Sequence, residues 1–166
     1  GMLDPENLVT DYLPELAKSA YAGATIQHVL DMQISSGFHE DYADSDGIFM
    51  AYRRATAWNP VEEGVETDGL RNFLTRMPKS TNESHGQAHH YCSPHSDVLG
   101  WVIERSANDS FGNQFSTHIL QPCGGYHEGY ITLDTFGAPR VSGGMCLAIH
   151  DLLMIGEMVR NRGFVN

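Results

Sequence analysis

Tyr91-Cys92-Ser93 brings a phenol, a thiol and a hydroxyl together between a short β-prone lead at His89-His90 and an apolar run that opens at Pro94. Such a corner is how a fold presents a reactive side chain at the head of a helix. Tyr91 is the candidate proton carrier. A phenol has an unperturbed pKa near 10, so acting as a phenolate requires a cationic neighbour. The structural alternative is a tyrosine packed beneath the helix start with its hydroxyl hydrogen-bonded.

Other chemistries find less support. A serine nucleophile needs a His backed by a carboxylate, or a nearby lysine. The only lysines are Lys18 and Lys79, preceded three positions earlier by Glu15 and Arg76, so no Ser-x-x-Lys occurs in the 166 residues. No Gly-x-Ser-x-Gly elbow occurs either. Five potential zinc ligands, His85, His89, His90, Cys92 and His95, fall within eleven positions, but not at zinc-finger or His-Glu-x-x-His spacing. No metal or cofactor is therefore expected. His28, His39, His118, His127 and His150 are scattered and read as ordinary polar or capping residues. Glu40, Asp41 and Asp44 do not follow a calcium-loop spacing and read as a solvated acidic loop.

Composition narrows the partners. Ten basic against 21 acidic residues give 10 − 21 = −11 with no basic cluster, which disfavours nucleic acid and anionic membranes. Cys92, Cys123 and Cys146 are odd in number, without Cys-x-x-Cys, and read as reduced packing thiols. The tract from Met145 to Val159 is interrupted by His150, Asp151 and Glu157, too polar for a membrane span. No signal peptide is recognisable, so a cytoplasmic location is expected.

The elements that must hold the corner are mostly helices. Asp4-Pro5-Glu6 opens a first helix that Pro14 limits. Thr25 caps a second, with Ile26, Val29, Leu30 and Ile34 on its face, stopped by Ser35-Ser36-Gly37. Asp46 caps a third through Trp58, with Ile48, Ala51, Tyr52 and Ala55 on one side. Thr67 or Asp68 caps a fourth carrying Leu70, Phe73, Leu74 and Met77. The corner's own helix covers about Pro94 to Ala107, its apolar residues on more than one face. Asn108 or Asp109 caps the next, with Phe111, Phe115 and Ile119, ended by Pro122. Tyr130-Ile131-Thr132-Leu133 and the Arg140-Val141 region form a hairpin around Asp134 to Gly137. Ser142-Gly143-Gly144 leads into a last helix presenting Ala148, Leu152, Ile155 and Val159. The fold class is mainly α with a small β hairpin, in a single domain over residues 1–166.

With these pieces in order, the chain resembles the serine β-lactamase-like hydrolases, the branch holding class C β-lactamases, esterases and 6-aminohexanoate-dimer hydrolases. The run from Tyr91-Cys92-Ser93 to Glu104-Arg105 resembles that family's Tyr-x-Asn/Ser motif and following helix. Val9 to Leu16, Val29-Leu30-Asp31-Met32 with Ser35-Ser36-Gly37, Ser142-Gly143-Gly144 and His150-Asp151-Leu152 resemble its other segments in the same order. The resemblance implies the helical subdomain of the β-lactamase/transpeptidase-like fold. By match, Tyr91 is the residue that relays a proton to the leaving group and Ser93 the third motif position. The family's Ser-x-x-Lys and its C-terminal Lys/His-x-Gly strand have no counterpart here. The expectation is a truncated or degenerate hydrolase without activity of its own, acting on small esters or amides only if completed by further segments. A non-catalytic assembly module, homo-oligomeric through the face left open by the absent sheet, and a metal-dependent enzyme using His85–His95 are the alternatives.

Overall fold

The computed structural model describes residues 3–60, 64, 67–80 and 83–165. Seven helices and one two-stranded ladder are formed by these residues. The first helix, α1 (Val9–Tyr12), starts later than Asp4-Pro5-Glu6 suggested, because Asp4 instead closes a turn, its carbonyl accepting from the Asn7 N–H at 3.1 Å. Pro14 then stiffens a 3₁₀ turn, Pro14–Leu16, and Val9, Leu13 and Leu16 are wholly buried.

Thr25 caps α2 (Ile26–Leu30) as expected. Its Oγ1 accepts from the His28 N–H while the Thr25 N–H donates to His28 Nδ1, both at 3.2 Å, so histidine fills the reciprocal position usually held by Glu or Gln. The helix is short because Met32 takes a left-handed φ of 54°, which leaves Ile34 in the loop beyond but still buried. Gly47 rather than Asp46 precedes α3 (Ile48–Ala55), and the buried face is Phe49, Tyr52 and Ala55, with Ala51 exposed. The reason is tertiary: Phe49, Tyr52 and Phe73 gather edge-on around Phe38, with ring centroids 5.7–6.2 Å from it.

In α4 (Gly69–Thr75) the apolar spacing reads through without change, Leu70, Phe73, Leu74 and the following Met77 all being buried. Part of its cap, however, comes from far along the chain. Thr67 Oγ1 accepts the Gly69 N–H at 3.3 Å, but the Leu70 N–H goes to Asp134 Oδ2 at 2.7 Å, and Asp68 makes no side-chain cap bond and pairs with Arg76. Gly69, at φ +82°, has no room for a side chain against Phe136 and Asp134.

The longest helix is α5 (Ser93–Ala107), ended by left-handed Asn108. Val98 and Val102 are fully buried and Trp101 nearly so. A Cβ on Gly100 would sit 2.3 Å from Val141 Cγ2, so this mid-helix glycine lets the hairpin lie directly against the helix. Ser110, not Asn108 or Asp109, caps α6 (Phe111–Phe115) by accepting from the Asn113 N–H, and a π turn, Ser116–Leu120, follows without a break.

Strand β1 (Tyr130–Ile131) pairs antiparallel with β2 (Met145–Cys146), Tyr130 opposite Cys146. The piece near Arg140-Val141 does pair, Leu133 forming an antiparallel bridge with Pro139, but the ladder partner of Tyr130–Ile131 is β2. Thr132 receives a bond from the Arg140 N–H and donates to Gly144 O, while the Gly144 N–H closes back on Arg140 O at 2.8 Å. Residues 140–144 are therefore a tight turn within the hairpin. The last helix, α7 (Ile149–Arg160), leaves Leu152 and Val159 exposed and buries only Asp151. Among the described residues, no helix is long and apolar enough to cross a membrane.

Candidate active site at the head of α5

Two contacts fix the backbone of the Tyr91 corner. The His90 N–H donates to Met32 O at 2.7 Å, and the Ser93 N–H donates to Glu40 Oε1 at 2.6 Å. Cys92, the N-cap, offers no side-chain bond to the first turn, so Glu40 supplies an acceptor to an otherwise unpaired helix N–H. Glu40 is therefore more than a member of a solvated loop, whereas Asp41 and Asp44 stay exposed and bond only neighbouring N–H groups.

Cys92 is wholly buried, and burial, reinforced by the charges of Glu40 and Asp97, pushes its thiol far above the ordinary range. It is a packing residue and no nucleophile. Ser93 is nearly buried, while Tyr91 is 60% exposed. Among the described residues the Tyr91 hydroxyl has no hydrogen-bond partner, so the packed, bonded alternative does not describe it. The phenol stands free at the head of the helix on a backbone held from two sides. A cavity of about 340 Å³, lined by Ser36, His39, Glu83, His89 and His90 among others, lies beside the corner.

Among the described residues, the histidines near the corner do not converge as a group of metal ligands. His85 Nδ1 accepts from the Ser35 N–H and its Nε2 meets Ala22 O; His89 meets Asp31 O; His90 meets Phe38 O at 2.8 Å. His85 commits both ring nitrogens and His89 and His90 one each to loop carbonyls or amides, tying the lead into α5 to the segment after α2. His95 faces inward, its Nδ1 3.0 Å from the Tyr21 hydroxyl, and burial pushes its imidazole down to about 3, with His90 and His85 adding to the effect. It is neutral at physiological pH, and its buried Nε2 has no partner.

Beneath the corner lies a network that sequence reading missed. Tyr52 Oη donates to Asp97 Oδ2 at 2.6 Å and lies 2.7 Å from Ser142 Oγ, while the Ser142 N–H donates to Asp97 Oδ1 at 2.9 Å. Burial pushes Asp97 up to about 6, against the opposing bonds from Tyr52 and Ser142. This triad locks Ser142-Gly143-Gly144 to α5, whose first turns carry the candidate site. The aspartate three positions before Gly100 was the available signal, but nothing local marks it as buried.

The family profile named Beta-lactamase matches residues 1–152. The chain belongs to the beta-lactamase family. It is 33% identical over 163 residues to a 6-aminohexanoate-dimer hydrolase of Paenarthrobacter ureafaciens, a match that takes in 98% of this chain and 41% of that protein. In structure it resembles a Bacillus anthracis protein provisionally assigned as a 6-aminohexanoate-dimer hydrolase, with TM-score 0.84, 19% identity, and coverage of 99% of this chain and 43% of that one. It also resembles an octameric penicillin-binding protein homologue from Pyrococcus abyssi, with TM-score 0.69, 18% identity, and coverage of 99% and 41%. The beta-lactamase family chain thus spans under half the length of these relatives. The mainly helical architecture with a small hairpin is that of part of the beta-lactamase-like fold.

Proposed function

We propose that this chain supplies the helical portion of a serine hydrolase site, with Tyr91 as its proton-relay residue and Ser93 as the polar position two residues on. The observation that carries this reading is the free, exposed Tyr91 hydroxyl at the head of a well-anchored α5. In acyl transfer such a phenol hands a proton to the departing alcohol or amine, a role worth about 10²–10⁴-fold in a complete site. The relationship to 6-aminohexanoate-dimer hydrolase points to a small amide or ester as the substrate of the completed site. The 166 residues hold no Ser-x-x-Lys, so by themselves they form no acyl-enzyme by the family route. Purified chain is expected to give no turnover of p-nitrophenyl acetate or nitrocefin that a serine-directed reagent abolishes. Reagent-sensitive turnover would overturn the reading.

A second reading, assembly with another copy of this chain, is supported by the apolar side of α7. Ile149, Leu152, Leu153 and Val159 are 57–79% exposed there, and Phe164 follows at 75%. Contiguous apolar surface of this kind marks an interface. Light scattering at micromolar concentration is expected to give a dimer or larger; a monomer mass rejects it.

A further inference from the structure

Two histidines that are 23 positions apart in sequence, His127 in the loop before β1 and His150 at the start of α7, turn their Nδ1 atoms toward one oxygen of Asp151. The distances to Asp151 Oδ1 are 3.1 Å and 3.4 Å, and the three ligand atoms lie within 4.8 Å of one another. Among the described residues this is the one place where three such groups converge. We propose that His127, His150 and Asp151 form a binding site for one divalent transition-metal ion of the zinc type.

Spacing, burial and donor type together support this reading. A tetrahedral zinc with bonds of ~2.0–2.1 Å places its ligand atoms about 3.3 Å apart, so both histidines already stand near ligand spacing from the carboxylate oxygen. Asp151 is only 1% exposed, and no Lys or Arg pairs with it; its partners are the two imidazoles and the His127 N–H, which donates to Oδ2 at 3.1 Å. A buried carboxylate needs a compensating positive charge. The rings are oriented by Tyr126, whose centroid lies 4.0 Å from that of His127 and 5.5 Å from that of His150.

Binding requires an unprotonated Nδ1 on each imidazole, so any proton there must pass to Nε2 or to solvent. The side chains of His127 and His150 are 40% and 52% exposed, so solvent reaches the rings for that exchange and leaves a fourth coordination position open. Imidazole and carboxylate donors suit zinc and cobalt better than calcium or magnesium. A cavity of about 420 Å³, lined by His127 together with Phe115, Leu120, Tyr130 and Leu147, adjoins the site.

Titration of the purified chain with Co(II), followed by visible absorption and competed with Zn(II), tests the proposal. One Co(II) per chain is expected, displaced by Zn(II), and Mg(II) is expected not to compete. His127→Ala and His150→Ala, both exposed and so compatible with the fold, are each expected to weaken binding at least 10-fold, whereas His118→Ala leaves it unchanged. Absence of Co(II) binding, or equal binding by wild type and both alanine variants with circular dichroism intact, overturns the site.

Discussion

Helices α5 and α7 are both long and rich in apolar residues, yet the structure uses them oppositely. In α5, of 15 residues, Val98 and Val102 are sealed, and its one deeply buried carboxylate, Asp97, is tied to Tyr52 and Ser142. In α7, of 12 residues, the buried residue is the acid, Asp151, and the aliphatic side chains face outward. An apolar helix therefore reports that something covers it, but not whether that cover lies within the chain. The α5 face is covered by α1, α2 and the hairpin; the α7 face is open among the described residues.

The sharpest way to break the comparison is to place one charge on each helix. Val98→Asp buries an unpaired carboxylate and is expected to cost at least about 4 kcal/mol in urea unfolding, enough to unfold the chain, whereas Leu153→Asp, measured at a dilution that keeps the chain monomeric, stays within about 0.5 kcal/mol. A comparable loss in Leu153→Asp would mean that α7 is covered in solution.

The next largest effect is a pH dependence confined to α5. His95 falls from 6.5 to about 3 on folding, so its stability contribution is present above pH 6.5 and is lost as pH falls toward 3. Asp97 rises from 3.8 to about 6, so its contribution is present below 3.8 and is lost as pH rises through 6. Between roughly pH 4 and 6 the two slopes oppose each other. Asp97→Asn removes one of them, so acidification over that window is expected to cost the variant about 1.4 kcal/mol per pH unit more than wild type, read as urea midpoints. Equal slopes in the two proteins would show that Asp97 does not titrate in the folded state as described.

Smaller changes sharpen the same contrast. Tyr52→Phe removes the hydroxyl between Asp97 and Ser142 and is expected to cost roughly 1–3 kcal/mol, because a buried carboxylate loses a donor. Ser110→Ala, at the cap of α6 between the sealed and open regions, costs about 1 kcal/mol and is visible as faster amide exchange in Phe111–Phe115 rather than in α5.

Much of the fold was legible because its cues are local. Leu70, Phe73, Leu74 and Met77 repeat at helical spacing, Thr25 is a good cap, and the head of α5 follows from Pro94 in the first turn. The misread points all have distant causes. Asp134 caps α4 across 64 positions, which no local rule suggests. The α3 face is set by Phe38 and Phe73, and the strand partner of Tyr130 by the 140–144 turn. At the site, Tyr91 and Ser93 were legible as a helix-head corner, whereas the Tyr52–Asp97–Ser142 network and the pairing of His127 with His150 were not.

By itself, then, the sequence determined a mainly helical, acidic chain without Ser-x-x-Lys, with Tyr91 at a helix start, since composition, periodicity and capping act within a few residues. Only the tertiary structure decided which polar groups meet. It gave the clustered histidines His85, His89 and His90 to loop carbonyls and brought the scattered His127 and His150 onto one carboxylate. Such encounters depend on how whole elements cross, and sequence spacing carries no record of that.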